Sequence, residues 1–541
     1  MKAHLLFADR DSGLRASWTY RIGYEVSGPQ LPPLSNDLVH DLDLLPLFQA
    51  MGAGDPFLAE ISRRVLLASL EGVAAIRYRQ AVLADCLARP EMIRDVYALA
   101  EESIRGQSKF YRSVFDSPAS TLSRSISVLE FCVSQLRKLR ALAEGHLQAV
   151  SSEGLRTLFS MLVRELDDQY FDEIGRHLQR LRLRGGVPMS ASLGRGLKGR
   201  DYRLLRPESG RRSLRQLVGL DRPGSHSFVL SDRDEAGARA LAELESRGID
   251  RAADALARSG DHITSFLTML AIETGFYLAC LNLHDRLSTL GAPSCMPVLH
   301  PSSELKLNLH DLIDVSLALQ SERAVVGNGA LADGKELVVV TGANSGGKST
   351  FLRSLGIAQL MAQSGAFVSA ASFSSSVCLG IFTHFGREED PTMTMGKLDE
   401  ELARMSAIVQ VVSARSLVLF NESFAATNER EGSEIGRQVI TALLEGGMRV
   451  GLVTHLYTLA KTLRDARRAS ALFLRAERGA DGRRSFKLVE GEPLPTSFGA
   501  DLYRRMGGWP RTHSGPELDG EAGAPAGRGS AGMGPSGDFR P

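Results

Sequence analysis

The run Gly342-Ala343-Asn344-Ser345-Gly346-Gly347-Lys348-Ser349-Thr350 constrains this chain more than any other feature. It fits G-x-x-x-x-G-K-[ST], and it lies between an apolar run, Leu337 to Val340, and a helical pattern from Phe351 to Gln363 that Gly365 closes. A strand, a glycine turn and a helix in that order predict a sheet with crossover helices. In such a turn the backbone N–H groups face inward, and the helix N-terminus adds the positive end of its dipole. The turn therefore predicts a cradle for nucleotide phosphates, with Lys348 reaching the β- and γ-phosphates and Ser349 ligating Mg²⁺.

A phosphate loop alone does not choose a chemistry, so the strands that follow it matter. Ser416 to Phe420 reads as a buried strand that ends in Asn421-Glu422, and Val450 to Val453 reads as another that ends in Thr454-His455. At its strand end Glu422 can orient an attacking water, and His455 can sense the terminal phosphate. Taken singly, each is an ordinary loop residue. Together, at β-α-β spacing after a phosphate loop, they predict nucleotide hydrolysis with Glu422 and His455 as the catalytic pair.

The rest of the chain divides by pattern. With 541 residues, 43% of them hydrophobic, it can bury a large core in more than one domain. A β-like segment over 1–34 precedes helical periodicity over 35–181, and Asp55-Pro56 marks one helix start. Residues 182–231 form a Gly- and Arg-rich insertion, in which eleven basic side chains face three acidic ones between Arg182 and Arg222. Helices return over 232–299 with an expected break near Gly260, strands and helices alternate over 300–508, and 509–541 reads as a disordered tail. The fold class is thus multidomain, an all-α region followed by an α/β P-loop domain. Phe7-Ala8-Asp9 is expected to lie in a short strand. The five cysteines form no Cys-x-x-Cys pair, which argues against zinc and disulfides. Asp9 and Arg10 break the first apolar stretch, and no unbroken apolar run is of spanning length, so a cytoplasmic protein without a membrane partner is expected.

Thr341 to Arg353, Ile381-Phe382-Thr383-His384-Phe385-Gly386, Thr454-His455 and Ser497-Phe498-Gly499 together resemble the MutS family, the ABC-type ATPases of DNA mismatch repair. The resemblance covers roughly 300 to 507 and, with less motif content, the helical core and lever helices before it. It implies ATP and Mg²⁺ as cofactors, an ABC-type ATPase domain completed in a homodimer, and DNA as partner. Asn421 stands where the family has the Mg²⁺-supporting Asp, so the metal contact is indirect and slow hydrolysis is expected. The family's signature serine, which reaches the partner's terminal phosphate, is replaced around Gly396-Lys397-Leu398. Lys397 then reads either as a cation acting in trans on the nucleotide or as a solvated lysine at a helix start.

About thirty residues precede the helical core, too few for the family's mismatch-reading domain, so mismatch recognition of the usual kind is not expected. The basic insertion occupies the place of the family's DNA clamp. Arg195, Lys198, Arg200, Arg211, Arg212 and Arg215 are its candidate phosphate contacts, and a solvated Arg-rich loop is the equal alternative. Two functions remain open at this point: an ATP-driven, DNA-embracing dimer, or a nucleotide-binding switch with little hydrolysis that acts on a protein or RNA.

Overall fold

In a computed structural model of the chain the described residues are 1–19, 23–108, 118–182, 189–193, 199–204, 235–343, 346–387, 396–467, 469–478 and 484–494. They belong to one compact unit, Met1–Ser497. A hairpin of β1 (Arg15–Thr19) and β2 (Gly23–Ser27) comes first. Eight helices follow among the described residues: α1 (Ser35–Asp41), α2 (Leu45–Gly52), α3 (Pro56–Leu67), α4 (Val73–Ala88), α5 (Pro90–Ser108), α6 (Pro118–His146), α7 (Glu153–Glu165) and α8 (Asp168–Leu181). Helix α3 starts where the sequence marks it. Asp55 accepts a hydrogen bond from Phe57 N at 2.8 Å, and Pro56 occupies the first helical position.

Within the basic insertion, β3 (Met189–Leu193) and β4 (Gly199–Leu204) pair as a second hairpin. The chain then enters α9 (Glu235–Thr289), a helix of 55 residues. At 1.5 Å per residue it is about 80 Å long. The break expected near Gly260 does not occur. A helix-interior glycine costs only about 1 kcal/mol against alanine, and the packing of α9 on α5 and α6 outweighs it. One stretch of α9, Ile249–Thr289, is long and apolar enough to cross a membrane, which a count of unbroken runs overlooks. In the protein 78% of its most apolar window is buried.

The expected strand at Phe7-Ala8-Asp9 does not form either, because this segment spends its backbone groups on α9. Leu5 N and Leu6 N donate to Glu273 Oε2 at 2.5 and 3.2 Å. Arg79 Nε donates to Leu6 O at 2.8 Å while its guanidinium lies over the Phe7 ring.

The remaining elements are β5 (Val298–His300), β6 (Leu307–Leu312), α10 (Val315–Ser321), β7 (Asn328–Leu331), β8 (Leu337–Thr341), α11 (Lys348–Ser364), β9 (Ser372–Ser376), β10 (Ile381–Phe385), α12 (Lys397–Val411), β11 (Leu417–Asn421), α13 (Glu429–Glu445), β12 (Arg449–Val453), α14 (Tyr457–Arg467), β13 (Ala471–Arg478) and β14 (Arg484–Glu490). A six-stranded sheet runs β10-β11-β12-β8-β13-β14, parallel except for the last pair, and a four-stranded sheet runs β5-β9-β6-β7. The central strands are apolar throughout because both faces are covered. Alternate residues of β8 and β11 show it: Val338, Val340, Leu417 and Leu419 join the core shared with the helical region, whereas Leu337, Val339, Val418 and Phe420 join a second core under α12, α13 and α14. One continuous hydrophobic cluster thus reaches from α9 to the phosphate-loop helix.

Candidate nucleotide site

The loop after β8 turns into α11 through backbone that only glycine adopts without strain. Gly342 has φ 111° and Gly347 φ 88°, and a Cβ on Gly342 would sit 2.9 Å from Ala476 N. Ala343 and Gly346 continue the turn, and Ser349 and Thr350 fall in the first turn of α11. Asn344, Ser345 and the Ser497-Phe498-Gly499 segment lie outside the described residues.

Lys348 is nearly fully buried at the start of α11. Its Nζ donates to Gly342 O at 2.9 Å and Ala343 O at 3.3 Å, and lies 3.7 Å from Glu422 Oε1. Burial lowers the Lys348 pKa, and the Glu422 carboxylate opposes that effect. Glu422 follows β11, and its Oε2 accepts from His455 Nδ1 at 2.5 Å and His455 N at 3.1 Å. Burial pushes the Glu422 carboxyl up, but the His455 hydrogen bonds and the Lys348 charge outweigh burial and hold it below its ordinary value. The same hydrogen bond raises His455, against the opposing effect of burial.

The strand order produces this meeting. The phosphate-loop strand β8 and the Glu422 strand β11 flank β12, whose C-terminal end leads to His455. All three run parallel, so their C-terminal ends open on one edge of the sheet.

Ser349 Oγ donates to Asn421 Oδ1 at 2.8 Å. Two neutral oxygens beside the phosphate loop suit a hard cation such as Mg²⁺, although with less charge than a carboxylate would bring. Lys397 opens α12 one helical turn before Glu401. Among the proposed nucleic-acid contacts, Arg200 is on β4, exposed and 3.2 Å from Asp201. Arg195, Lys198, Arg211, Arg212 and Arg215 lie outside the described residues, as does the tail over 509–541.

Sequence reasoning missed two neighbours of the loop. Phe486 on β14 is 47% exposed with φ 58°, and its carbonyl oxygen lies 3.3 Å from where a Gly347 Cβ would be. Arg484, on the same strand, is close enough for its charge to depress Lys348 further. No spacing signal links β14 to a loop about 140 residues earlier; only the antiparallel return of β14 on β13 brings it there.

Comparison with known families adds the same order of parts. Residues 71–290 match the family model "MutS2 N-terminal domain", and residues 338–512 match "MutS domain V". The chain is 34% identical over 165 residues to "Endonuclease MutS2" of Thermomicrobium roseum, covering 30% of this chain and 20% of that protein. It is 28% identical over 214 residues to "Endonuclease MutS2" of Leuconostoc citreum, covering 39% of this chain and 25% of that protein. Identity to "DNA mismatch repair protein MutS" of Synechococcus sp. is 32% over 189 residues, covering 34% of this chain and 20% of that protein. The matched stretch therefore spans a quarter or less of these relatives' length. A helical region matching one model of the family, followed in order by a sheet region matching another, leaves a single assignment, and the chain belongs to the MutS family.

Proposed function

We propose that this chain binds ATP with Mg²⁺ at Gly342–Thr350, hydrolyses it slowly, and uses the cycle to change the conformation of a DNA-embracing homodimer in the cytoplasm. The contact of Lys348 with Glu422 and of Glu422 with His455 carries this reading. It places a cation, a carboxylate and an imidazole at the mouth of one glycine loop, which is the set that positions a terminal phosphate and a water for in-line attack. The sheet order, with β12 between the phosphate-loop strand and the Glu422 strand, supports an ABC-type fold.

In this mechanism the loop N–H groups and Lys348 bind phosphate oxygens, Glu422 orients the water, and His455 holds Glu422 in place. Ser349 would hold Mg²⁺ and Asn421 would reach it through water. The ion's role is to neutralise charge on the phosphates. Phe486 offers an exposed aromatic face beside the loop for the base. In the dimer Lys397 is the candidate cation for the partner's nucleotide.

Steady-state ATP hydrolysis, with binding of a fluorescent ATP analogue measured in parallel, tests the reading. Wild type should turn over slowly, Asn421→Asp about tenfold faster, and Glu422→Gln at least a hundredfold slower with binding retained. Binding without any turnover in wild type or Asn421→Asp would leave a nucleotide-binding switch in place of an ATPase.

A further inference from the structure

The turn that carries Glu422 is backbone that needs holding. Glu422 has φ 53° and Phe424 φ 61°, two side-chain-bearing residues in the left-handed region within three positions. Such residues persist only where their surroundings fix them. Glu422 N donates to Val453 O at 2.9 Å, which anchors the turn to β12. Its other side is anchored by α12. Glu401 Oε2 accepts from Phe424 N at 2.8 Å, and Glu401 O receives His384 Nε2 at 2.9 Å. His384 is buried, and its ring is stacked on Phe424 with centroids 5.3 Å apart. Ser423 Oγ lies 2.8 Å from His384 Nδ1 and donates to His384 O at 2.5 Å.

Glu401 itself is 4% exposed. Burying a carboxylate opposes its ionisation, and the Phe424 N–H only partly compensates. Of the groups that offset this penalty the Phe424 N–H is the largest, ahead of the Lys397 and Arg404 charges. Glu401 is also four residues after Lys397 on α12, hence on the same face of the helix that opens toward the proposed dimer contact.

We propose that Glu401 is a positioning residue for Glu422: by holding Phe424 N–H it sets the turn that aims the Glu422 carboxylate, and it ties that aim to where α12 sits. The inference rests on the ATPase reading for its effect on turnover, but not for its effect on the turn. Glu401→Met keeps the volume and removes the acceptor, while Glu401→Gln keeps a carbonyl oxygen that can accept.

The measurements are fluorescent ATP-analogue binding, steady-state hydrolysis, and hydrogen exchange of the Phe424 amide in the full chain. Glu401→Met should bind the analogue within threefold of wild type, with kcat down at least tenfold and Phe424 exchange up at least tenfold. Glu401→Gln should stay within threefold of wild type on all three. Should Glu401→Met lose analogue binding, His384→Gln and Ser423→Ala carry the same comparison, since each removes a hydrogen bond from the network that holds this side of the turn. Turnover within twofold of wild type in Glu401→Met, or unchanged Phe424 protection, overturns the proposal. If wild type has no turnover the ATPase reading fails, and Phe424 exchange alone then decides whether Glu401 holds the turn.

Discussion

In the proposed ATPase site Asn421 stands where a carboxylate would face the cation, and Coulomb's law bounds the size of the effect on turnover. A unit charge about 4 Å from a cation is worth up to about 4 kcal/mol at an effective dielectric near 20. Acting through a bound water it is worth less, so restoring the carboxylate in Asn421→Asp is expected to gain about 1.4 kcal/mol, the tenfold named above. Glu422 and His455 give a second prediction at this scale, through pH. His455 is raised above its ordinary 6.5 by its hydrogen bond to Glu422. A raised base stabilises the fold fully below about pH 6.5, and the gain is lost as pH rises through its folded value. Glu422 is lowered from 4.5 despite burial, because His455 and Lys348 favour the carboxylate; its contribution is present above that value and lost as pH falls through the lowered one. The pair therefore contributes most across the mildly acidic range. With side chains 43% and 28% exposed, it is worth about 0–1 kcal/mol after solvent screening. In urea unfolding, the stability gap between wild type and His455→Asn should be widest near about pH 6 and shrink toward about pH 8. A gap constant over that range would show that His455 does not titrate against Glu422.

Elements with a local signal were legible and contacts between distant elements were not. The phosphate loop, the α3 start at Asp55 and the strands at 337–341, 417–421 and 449–453 follow from short patterns, because capping, glycine turns and two-sided burial act within a few residues. The sequence carried no sign that α1 docks on the far end of the sheet. Asp41, with a fully buried side chain, lies 3.0 Å from Arg404 Nη2 on α12 and 3.6 Å from Arg387 Nη2 just after β10, and Asp37 takes Arg387 at 2.6 Å. These partners are about 350 residues apart, so no periodicity could pair them. Gly260 misled in the other direction, since a local break signal lost to the packing of α9. The α1 latch ties the helical region to α12, the helix that also holds Glu422 in place through Glu401. Removing one partner of a buried pair leaves the other charge uncompensated, at a cost of about 3–5 kcal/mol for full burial. Arg404 is 12% and Arg387 29% exposed, so Asp41→Ala is expected to lose about 2–3 kcal/mol in urea unfolding. An exposed-site value below about 0.5 kcal/mol would mean the latch is not formed in solution.

At the scale of the molecule, α9 is the longest described element, and it packs both on the helical core and on β4 of the basic insertion. Near its C-terminal half, Glu273 and Tyr277 grip the N-terminal segment, with Tyr277 Oη donating to Leu5 O at 2.6 Å. Arg79 carries the connection onward, from Leu6 O to Ser364 O at the end of α11, the helix whose other end holds Lys348 and Ser349. The other end of α9 begins next to the basic segment. With a net charge of only +1 over the whole chain, the proposed attraction to DNA would have to come from a local excess of basic residues such as that between Arg182 and Arg222. If Arg211, Arg212 and Arg215 each neutralise a phosphate, binding to duplex DNA falls with salt, and replacing all three by alanine makes the slope of log K against log salt shallower by about 3. Matched and mismatched duplexes should bind alike at equal salt, since phosphate contacts carry no sequence. A slope unchanged in the triple variant would place the DNA contacts elsewhere. Coupling between the two proposed sites can be measured from either ligand. Whatever factor ATP applies to DNA affinity, DNA must apply to ATP affinity by thermodynamic linkage, and a factor different from one is what the proposed conformational cycle requires. Measuring both factors, with Glu422→Gln to prevent turnover, should return one number. Two binding sites that are each occupied, with both factors equal to one, would mean that α9 supports the fold without transmitting anything.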